Sequence, residues 1–255
     1  MTGLLEGHIA AVTGGGSGIG QGICQAYARE GAEVVILDAN PGGAQETVDL
    51  VTRAGGKASA VKLDVTDRQA CRAAAAEIAR TRKVSILVNN AGINRRTPIT
   101  GDPAAVAGDW DDILSVNLDG MFNVTHAFLD QLRATRGRIV NIGSIQSFVH
   151  VSWPNSAAYT TSKHGVLGFT RALAAELGKD GVRVNAIGPG LIETRINAEA
   201  RAKNPDMVAA VMRHTPLNRP GKPDDIAGPA VFLASDLSAY VTGCIVMADG
   251  GFRTV

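Results

Sequence analysis

The segment "AAVTGGGSGIGQGICQAYAREG", residues 10–31, passes from a short apolar run into helix-forming sequence across a cluster of glycines. Thr13 precedes Gly14, and Gly14, Gly18 and Gly20 stand in a T-G-x-x-x-G-x-G spacing rather than the commoner G-x-G-x-x-G. Glycines at such a junction allow a tight turn. They also let a pyrophosphate approach backbone amides at a helix N-terminus, where free N–H groups and the helix dipole favour anions. A strand-to-helix connection with no ligand can look the same, so the turn has to be read in its surroundings.

Outward from this turn, apolar runs recur at 8–14, 33–38, 58–65, 84–92, 137–144, 182–190 and 243–251. Several are rich in Val and Ile and end in Gly, Asn or Asp, as strands do. Segments with helical spacing lie between them at 18–30, 41–54, 67–82, 110–135, 157–179 and 224–235. Near-continuous apolar strands alternating with helices predict an α/β fold, a parallel sheet covered on both faces. Right-handed crossovers make it doubly wound. Nothing divides the chain, which reads as a single domain over 1–255. The stretch 191–223 interrupts the alternation and is expected to form a helical lid over a site.

Composition narrows the function classes. The 255 residues are 45% hydrophobic and 19% charged with a formal net charge of +1, ordinary for a globular protein. That balance gives no electrostatic reason to expect nucleic acid or an anionic membrane. No apolar run is long enough to span a bilayer. "MTGLLEGHIA" lacks the basic and apolar regions of a signal peptide, so a cytoplasmic location is expected. Cys24, Cys71 and Cys244 are scattered and read as small buried hydrophobes in a reducing compartment. No His, Cys and carboxylate cluster has metal-site spacing, so no metal is expected.

The nucleotide reading gains from the next strands. "EVVILDAN" ends a strand with Asp38, placed to accept hydrogen bonds from an adenine ribose diol and to repel a 2′-phosphate. Gly15, Gly16 and Ala39 provide no cation for such a phosphate, so NAD is favoured over NADP. Asp64 and Val65 follow the third run, where Asp64 can bond the adenine amino group and Val65 can pack on the ring edge. Asp64 also fits a helix N-cap region together with Asp67. In "VNNAG" (88–92), Asn89 can tie strands together or border the cofactor. Asn90, Ala91 and Gly92 allow a ribose to come close.

These residues, taken in order, resemble the short-chain dehydrogenases/reductases of about 250 residues. The resemblance covers almost the whole chain. It rests on "TGGGSGIG", Asp38, "DV" at 64–65, "NNAG" at 89–92, Asn117, Ser144, the Tyr159-x-x-x-Lys163 spacing, and "PG" at 189–190 with Thr194. It implies a Rossmann domain with a seven-stranded parallel sheet, a nicotinamide cofactor and a homotetramer. Over the glycine turn it implies contacts from Gly14, Ser17, Gly18, Ile19 and Gly20. It also places Pro189 and Gly190 beside the nicotinamide, with Ile192 and Thr194 reaching its carboxamide.

Interconverting an alcohol and a carbonyl needs a proton donor and acceptor at the oxygen. A free phenol titrates near pH ~10 and is a poor base at neutrality, but a nearby cation favours the phenolate. Lys163, one helical turn from Tyr159, can supply that cation and is expected to bring the phenol down. The resemblance adds that Lys163 bonds the nicotinamide ribose, and that Asn117 marks a helix irregularity holding a water in a proton relay. Ser144, at the end of "GRIVNIGS", can hold the substrate oxygen. Ser147, twelve residues before Tyr159, has the family's usual spacing, whereas Ser144 is fifteen before it. Ser144 is preferred because it sits directly on the strand end.

The loop 145–158 should face the substrate through Gln146, His150, Trp153 and Asn155. Asn94, Arg95 and Arg96 border the same opening, although such an arginine pair also fits plain surface. An amide beside Ser144 suits a polyhydroxylated molecule, which points to a sugar or polyol dehydrogenase. Two alternatives are a 3-oxoacyl thioester reductase, against which Asp38 counts, and a non-catalytic NAD(H)-sensing protein, against which the complete Asn117, Ser144, Tyr159 and Lys163 set counts.

Overall fold

The computed structural model describes residues 3–151, 156–194, 202 and 204–254. Seven strands form one parallel sheet: β1 (Ile9–Thr13), β2 (Glu33–Asp38), β3 (Lys57–Lys62), β4 (Ile86–Asn89), β5 (Arg138–Ile142), β6 (Arg183–Pro189) and β7 (Ile245–Ala248). Their order in space is β3-β2-β1-β4-β5-β6-β7. This is the expected doubly wound sheet, and its order reverses between β1 and β4.

Residues along each strand alternate between the two faces, and register lines them up into rows. Ala11 pairs with Val35 and Leu87, and Leu87 with Ile139. That row belongs to a core with Cys71 and Ile78 of α3 (Arg68–Ala79), Phe128 and Leu132 of α5 (Met121–Ala134), and Leu177 of α6 (Ala157–Leu177). One residue along, Val12 pairs with Ile36 and Val88, and Val88 with Val140. This second row faces the other core, built with Ile23 and Tyr27 of α1 (Gly18–Arg29) and with Ile226 and Leu233 of α8 (Pro223–Ala234). Burial on both faces explains why the central strands read as unbroken apolar runs. Tyr27 is fully buried, and its hydroxyl donates to the Ala230 carbonyl at 3.1 Å, which satisfies the one polar atom it carries inside.

Two departures from the expected elements bear on the site. The helix expected over 110–135 is α4 (Pro103–Leu114), then a π-helical turn at Ser115–Gly120, then α5. Gly120 is required there, because a Cβ on it would come within 2.5 Å of Val65 Cγ2. The segment 191–223 contains α7 (Pro205–Arg213), and its two ends meet where Ile192 bridges Gly221. Residues 195–201 and 203 of the expected lid lie outside the described residues. The remaining helix, α2 (Pro41–Arg53), starts at Asn40, whose side chain accepts from the Gly42 and Gly43 amides.

Candidate active site

In a doubly wound sheet, ligands bind outside the carboxyl ends of the strands where the order reverses. Here that point lies between β1 and β4, and the two turns leaving them are bolted together. The Thr13 hydroxyl donates to Val88 O at 3.2 Å and accepts from the Asn90 and Ala91 amides, both at 3.0 Å. The Asn90 side-chain amide donates to Thr13 O at 3.0 Å and Gly14 O at 2.9 Å. The expected role of Asn90 beside a ribose is therefore joined by a structural one.

The glycine turn has the form a dinucleotide needs. Gly14 and Gly18 have φ of 61° and 54°, which side chains rarely adopt. A Cβ on Gly20 would lie 2.2 Å from the Gly14 carbonyl oxygen. Ser17 caps α1 without a side-chain hydrogen bond, and no acidic residue stands in the first turn. The amides there are thus left to an anion, which is the fit a pyrophosphate requires. Asp38, at the end of β2, accepts from the Gly16 amide and from the Asn40 amide, both at 2.8 Å. Its carboxylate is thereby held against the turn, and each oxygen can accept a second bond.

Other expected cofactor residues divide into backbone and side-chain contributors. Asp64 is exposed and accepts from the Thr66 amide and hydroxyl, while Val65 is buried in the core. The helix cap is Asp67, which accepts from Ala70 N. Pro189 ends β6, and the Gly190 amide is used by Ala248 O at 3.2 Å. Ile192 is buried, with its side chain packed into the core and its backbone bridged to Gly221. Thr194 comes over the glycine turn: a Cβ on Gly18 would meet its Cγ2 at 3.2 Å.

The four residues expected to carry the chemistry come from three places: α6 holds Tyr159 and Lys163, the π-turn Asn117, and the end of β5 Ser144. Tyr159 lies in the first turn of α6, where its amide donates to the Ser156 hydroxyl at 3.2 Å. Its phenol is hydrogen-bonded to the side chain of Ser144, the residue after Gly143 at the end of β5. The Ser144 hydroxyl also accepts from Gln146 N at 3.1 Å. Ser147 turns away: the residue is 1% exposed, and its hydroxyl accepts from the Ser144 amide at 3.2 Å. Lys163 is buried, donates from Nζ to Ile142 O at 2.8 Å, and lies 5.6 Å from the Tyr159 ring centroid. Asn117 sits in the π-turn and is also buried. Its Oδ1 accepts from Ile93 N at 2.8 Å, and its Nδ2 donates to Ile93 O at 3.0 Å and to Ser162 Oγ at 3.1 Å.

The electrostatics differ from the expectation. Burial pushes the Tyr159 phenol above its ordinary value, against the lowering effects of the Ser144 hydrogen bond and the Arg96 charge. The same burial pushes Lys163 down to about 8. Within the chain itself, then, desolvation outweighs the stabilisation of phenolate expected from Lys163. The cation that acts on the phenol is Arg96, a residue equally readable as surface. Its neighbour Arg95 is spent on α4, pairing with Asp112 at 2.7 Å and with Asp109 at 3.7 Å. Asn94 is exposed.

Around the opening, Gln146 is buried and its Oε1 accepts from the Thr160 hydroxyl at 2.8 Å. His150 is exposed, with Nδ1 3.0 Å from the same hydroxyl. Thr160 thus links two expected substrate residues to the helix that carries Tyr159. Trp153 and Asn155 lie outside the described residues. Among the described residues, no group of three or more His, Cys, Asp and Glu side chains is placed to hold a metal ion. Thr160 and Ser162 were not singled out beforehand; only their places inside "YTTSK" hinted at them.

Comparison with known proteins agrees with this geometry. A family model described as enoyl-(acyl carrier protein) reductase matches residues 14–253. The galactitol 2-dehydrogenase (L-tagatose-forming) of Cereibacter sphaeroides is 42% identical over 253 residues, covering 97% of this chain and 96% of that one. The 2-dehydro-3-deoxy-D-gluconate 5-dehydrogenase of Bacillus subtilis is 40% identical over 253 residues, covering 97% and 95%. The crystal structure of a putative NAD(P)-dependent gluconate 5-dehydrogenase from Beutenbergia cavernae, with NADP bound at low occupancy, superposes with a TM-score of 0.91. It is 42% identical and covers 98% of each chain.

Proposed function

The chain belongs to the short-chain dehydrogenase/reductase family and is an oxidoreductase of alcohols with a nicotinamide dinucleotide; within that family we propose that its substrate is a sugar or polyol. The observation that carries the chemistry is the half-buried phenol of Tyr159, hydrogen-bonded to Ser144 with the Lys163 ammonium 5.6 Å from its ring. When bound, the nicotinamide ring supplies the acceptor or donor of hydride.

In this reading Tyr159 is the general acid and base. In oxidation its phenolate takes the hydroxyl proton of the substrate, and in reduction its phenol returns a proton to the carbonyl oxygen. Ser144 holds that same oxygen and offsets the charge developing on it. Arg96 favours the phenolate by its charge. Lys163 acts as a cation fixed in place by Ile142 and is positioned to bond a nicotinamide ribose. Asn117 has both side-chain hydrogens committed, so its side chain clamps the segment after β4 to α6, and any water in a relay would be held by other groups of the π-turn.

The dinucleotide would be held by Gly14, Ser17, Gly18, Ile19 and Gly20 around the pyrophosphate, and by Asp64, Val65, Asn90, Ala91 and Gly92 along the adenosine and inner ribose. Pro189, Gly190, Ile192 and Thr194 would border the nicotinamide. We favour NAD over NADP because Asp38 is fixed beside the turn and residues 39–43 contain no cation. Gln146, His150 and Asn94 would meet the substrate hydroxyls, beneath a lid formed from 191–223. A homotetramer in the cytoplasm completes the proposal. Among the described residues, no helix is long and apolar enough to cross a membrane.

The test is a panel of sugars, polyols, steroids and 3-oxoacyl thioesters, each followed by nicotinamide absorbance with both cofactors. Oxidation of sugars or polyols far above the other classes is the expected result. Preferred turnover of a 3-oxoacyl thioester with NADPH overturns it, and nucleotide binding without turnover of any class would leave a sensing protein.

A further inference from the structure

We propose that the turn after β7 is a strut that sets the width of the substrate opening, with Arg253 a positioning residue for Phe148 and Phe148 a determinant of substrate fit. The inference rests on the dehydrogenase reading above, because it concerns the same opening.

The turn starts from a fixed base. Asp249, 9% exposed, follows β7 and accepts from Gly251 N at 3.0 Å and from Arg253 N at 3.2 Å. Gly250 and Gly251 have φ of 66° and 86°, so the chain reverses at once. It reverses against the segment after α7: Leu217 N donates to Gly250 O at 3.1 Å, and a Cβ on Gly250 would lie 2.7 Å from Thr215 Cγ2. Phe252 then sets its ring edge-on to His214, with centroids 6.1 Å apart.

Arg253 reaches the opposite wall. Its guanidinium lies over the half-buried ring of Phe148, 3.7 Å from the centroid. Phe148 is the residue directly after the turn Ile145–Ser147, which starts at Ser144 and carries Gln146. One short segment therefore touches both the loop that presents the substrate groups and the residues that directly follow the helix of the expected lid. A planar guanidinium stacks on an aromatic face through charge, quadrupole and dispersion together, and an ammonium keeps only part of that. Fixing Phe148 fixes the backbone between Ser144 and His150, and with it the Gln146 amide.

Arg253→Met and Arg253→Lys test this, with Phe148→Leu as the partner variant. Arg253→Met should raise KM for the alcohol substrate about three- to tenfold, with kcat and the KM for cofactor within about twofold of the parent. Arg253→Lys should recover part of the loss, and Arg253→Met combined with Phe148→Leu should lose little more than Phe148→Leu alone. Hydrogen exchange gives a readout independent of turnover: in Arg253→Met the amides of 145–151 should exchange faster, with those of β5 unchanged. Unchanged exchange over 145–151 overturns the strut, as does a loss in which kcat and the cofactor KM move together with the substrate KM. A parent protein that oxidises no sugar or polyol defeats the substrate proposal instead, and the exchange result still decides for or against the strut.

Discussion

Lys163 donates from Nζ to the carbonyl oxygen of Ile142 at 2.8 Å, which fastens the buried ammonium of α6 to the last residue of β5. Burial lowers its pKa from 10.5 to about 8. Below pH 8 the lysine is charged in both the folded and the unfolded chain, and the folded chain bears the full cost of burying that charge. Between about 8 and 10.5 the unfolded chain binds more protons, so stability rises with pH. In the protein without cofactor, denaturant unfolding of wild type against Lys163→Met should shift in favour of wild type across that window, by up to about 3 kcal/mol. A difference that stays flat with pH would mean the ammonium is not desolvated as described.

Arg96 lowers the Tyr159 phenol by its charge alone, so its removal should show in the pH profile. Alcohol oxidation needs the phenolate, and activity rises with pH through that pKa. Arg96→Leu should move the acid limb of kcat/KM upward, with the same plateau reached at high pH. A limb that does not move would remove Arg96 from the electrostatics of the site.

Ser144 bonds the phenol, whereas Ser147 bonds the Ser144 amide. Ser144→Ala is therefore expected to reduce kcat/KM by about 10²- to 10³-fold, the usual loss for a donor at a developing oxyanion. Ser147→Ala leaves that hydroxyl in place and should cost about tenfold or less. Steady-state rates for the two variants decide the matter, and a larger loss at Ser147 reverses the assignment.

Asp38 should set the cofactor ratio. Wild type is expected to use NAD⁺ with a higher kcat/KM than NADP⁺. Asp38→Ala should narrow that ratio by about tenfold or more, because a like charge facing the 2′-phosphate has gone. Equal use of the two cofactors by the wild type would end the argument from Asp38.

The fold was legible because burial on both sheet faces writes itself as apolar runs, and because glycines mark the turn after β1. The candidate site was legible where one side chain serves one purpose: Tyr159, Lys163 and Asp38 lie where their spacing places them, and Ser144 where the end of its strand does. What the sequence could not carry was burial. Whether Lys163 lowers its neighbour or is itself lowered depends on how much water reaches both, and spacing on a helix says nothing of that. Arg95 and Arg96 are adjacent and alike in sequence, yet one is consumed by Asp109 and Asp112 and the other faces the phenol. The contact between Phe148 and Arg253 joins residues 105 positions apart with no motif around either.

The π-turn at Ser115–Gly120 holds an extra residue compared with a continuous α-helix. Each residue advances an α-helix by about 100°, so that one residue sets the rotational phase of all of α5 against α4. Deleting a single position there would keep the composition of the segment nearly intact and straighten the helix. It would also turn Phe128 and Leu132 away from the sheet and carry Asn117 off Ile93 and Ser162. Length at this point is thus a more stringent requirement than residue type: among homologous chains, gaps should avoid 115–120 even where the side chains vary freely.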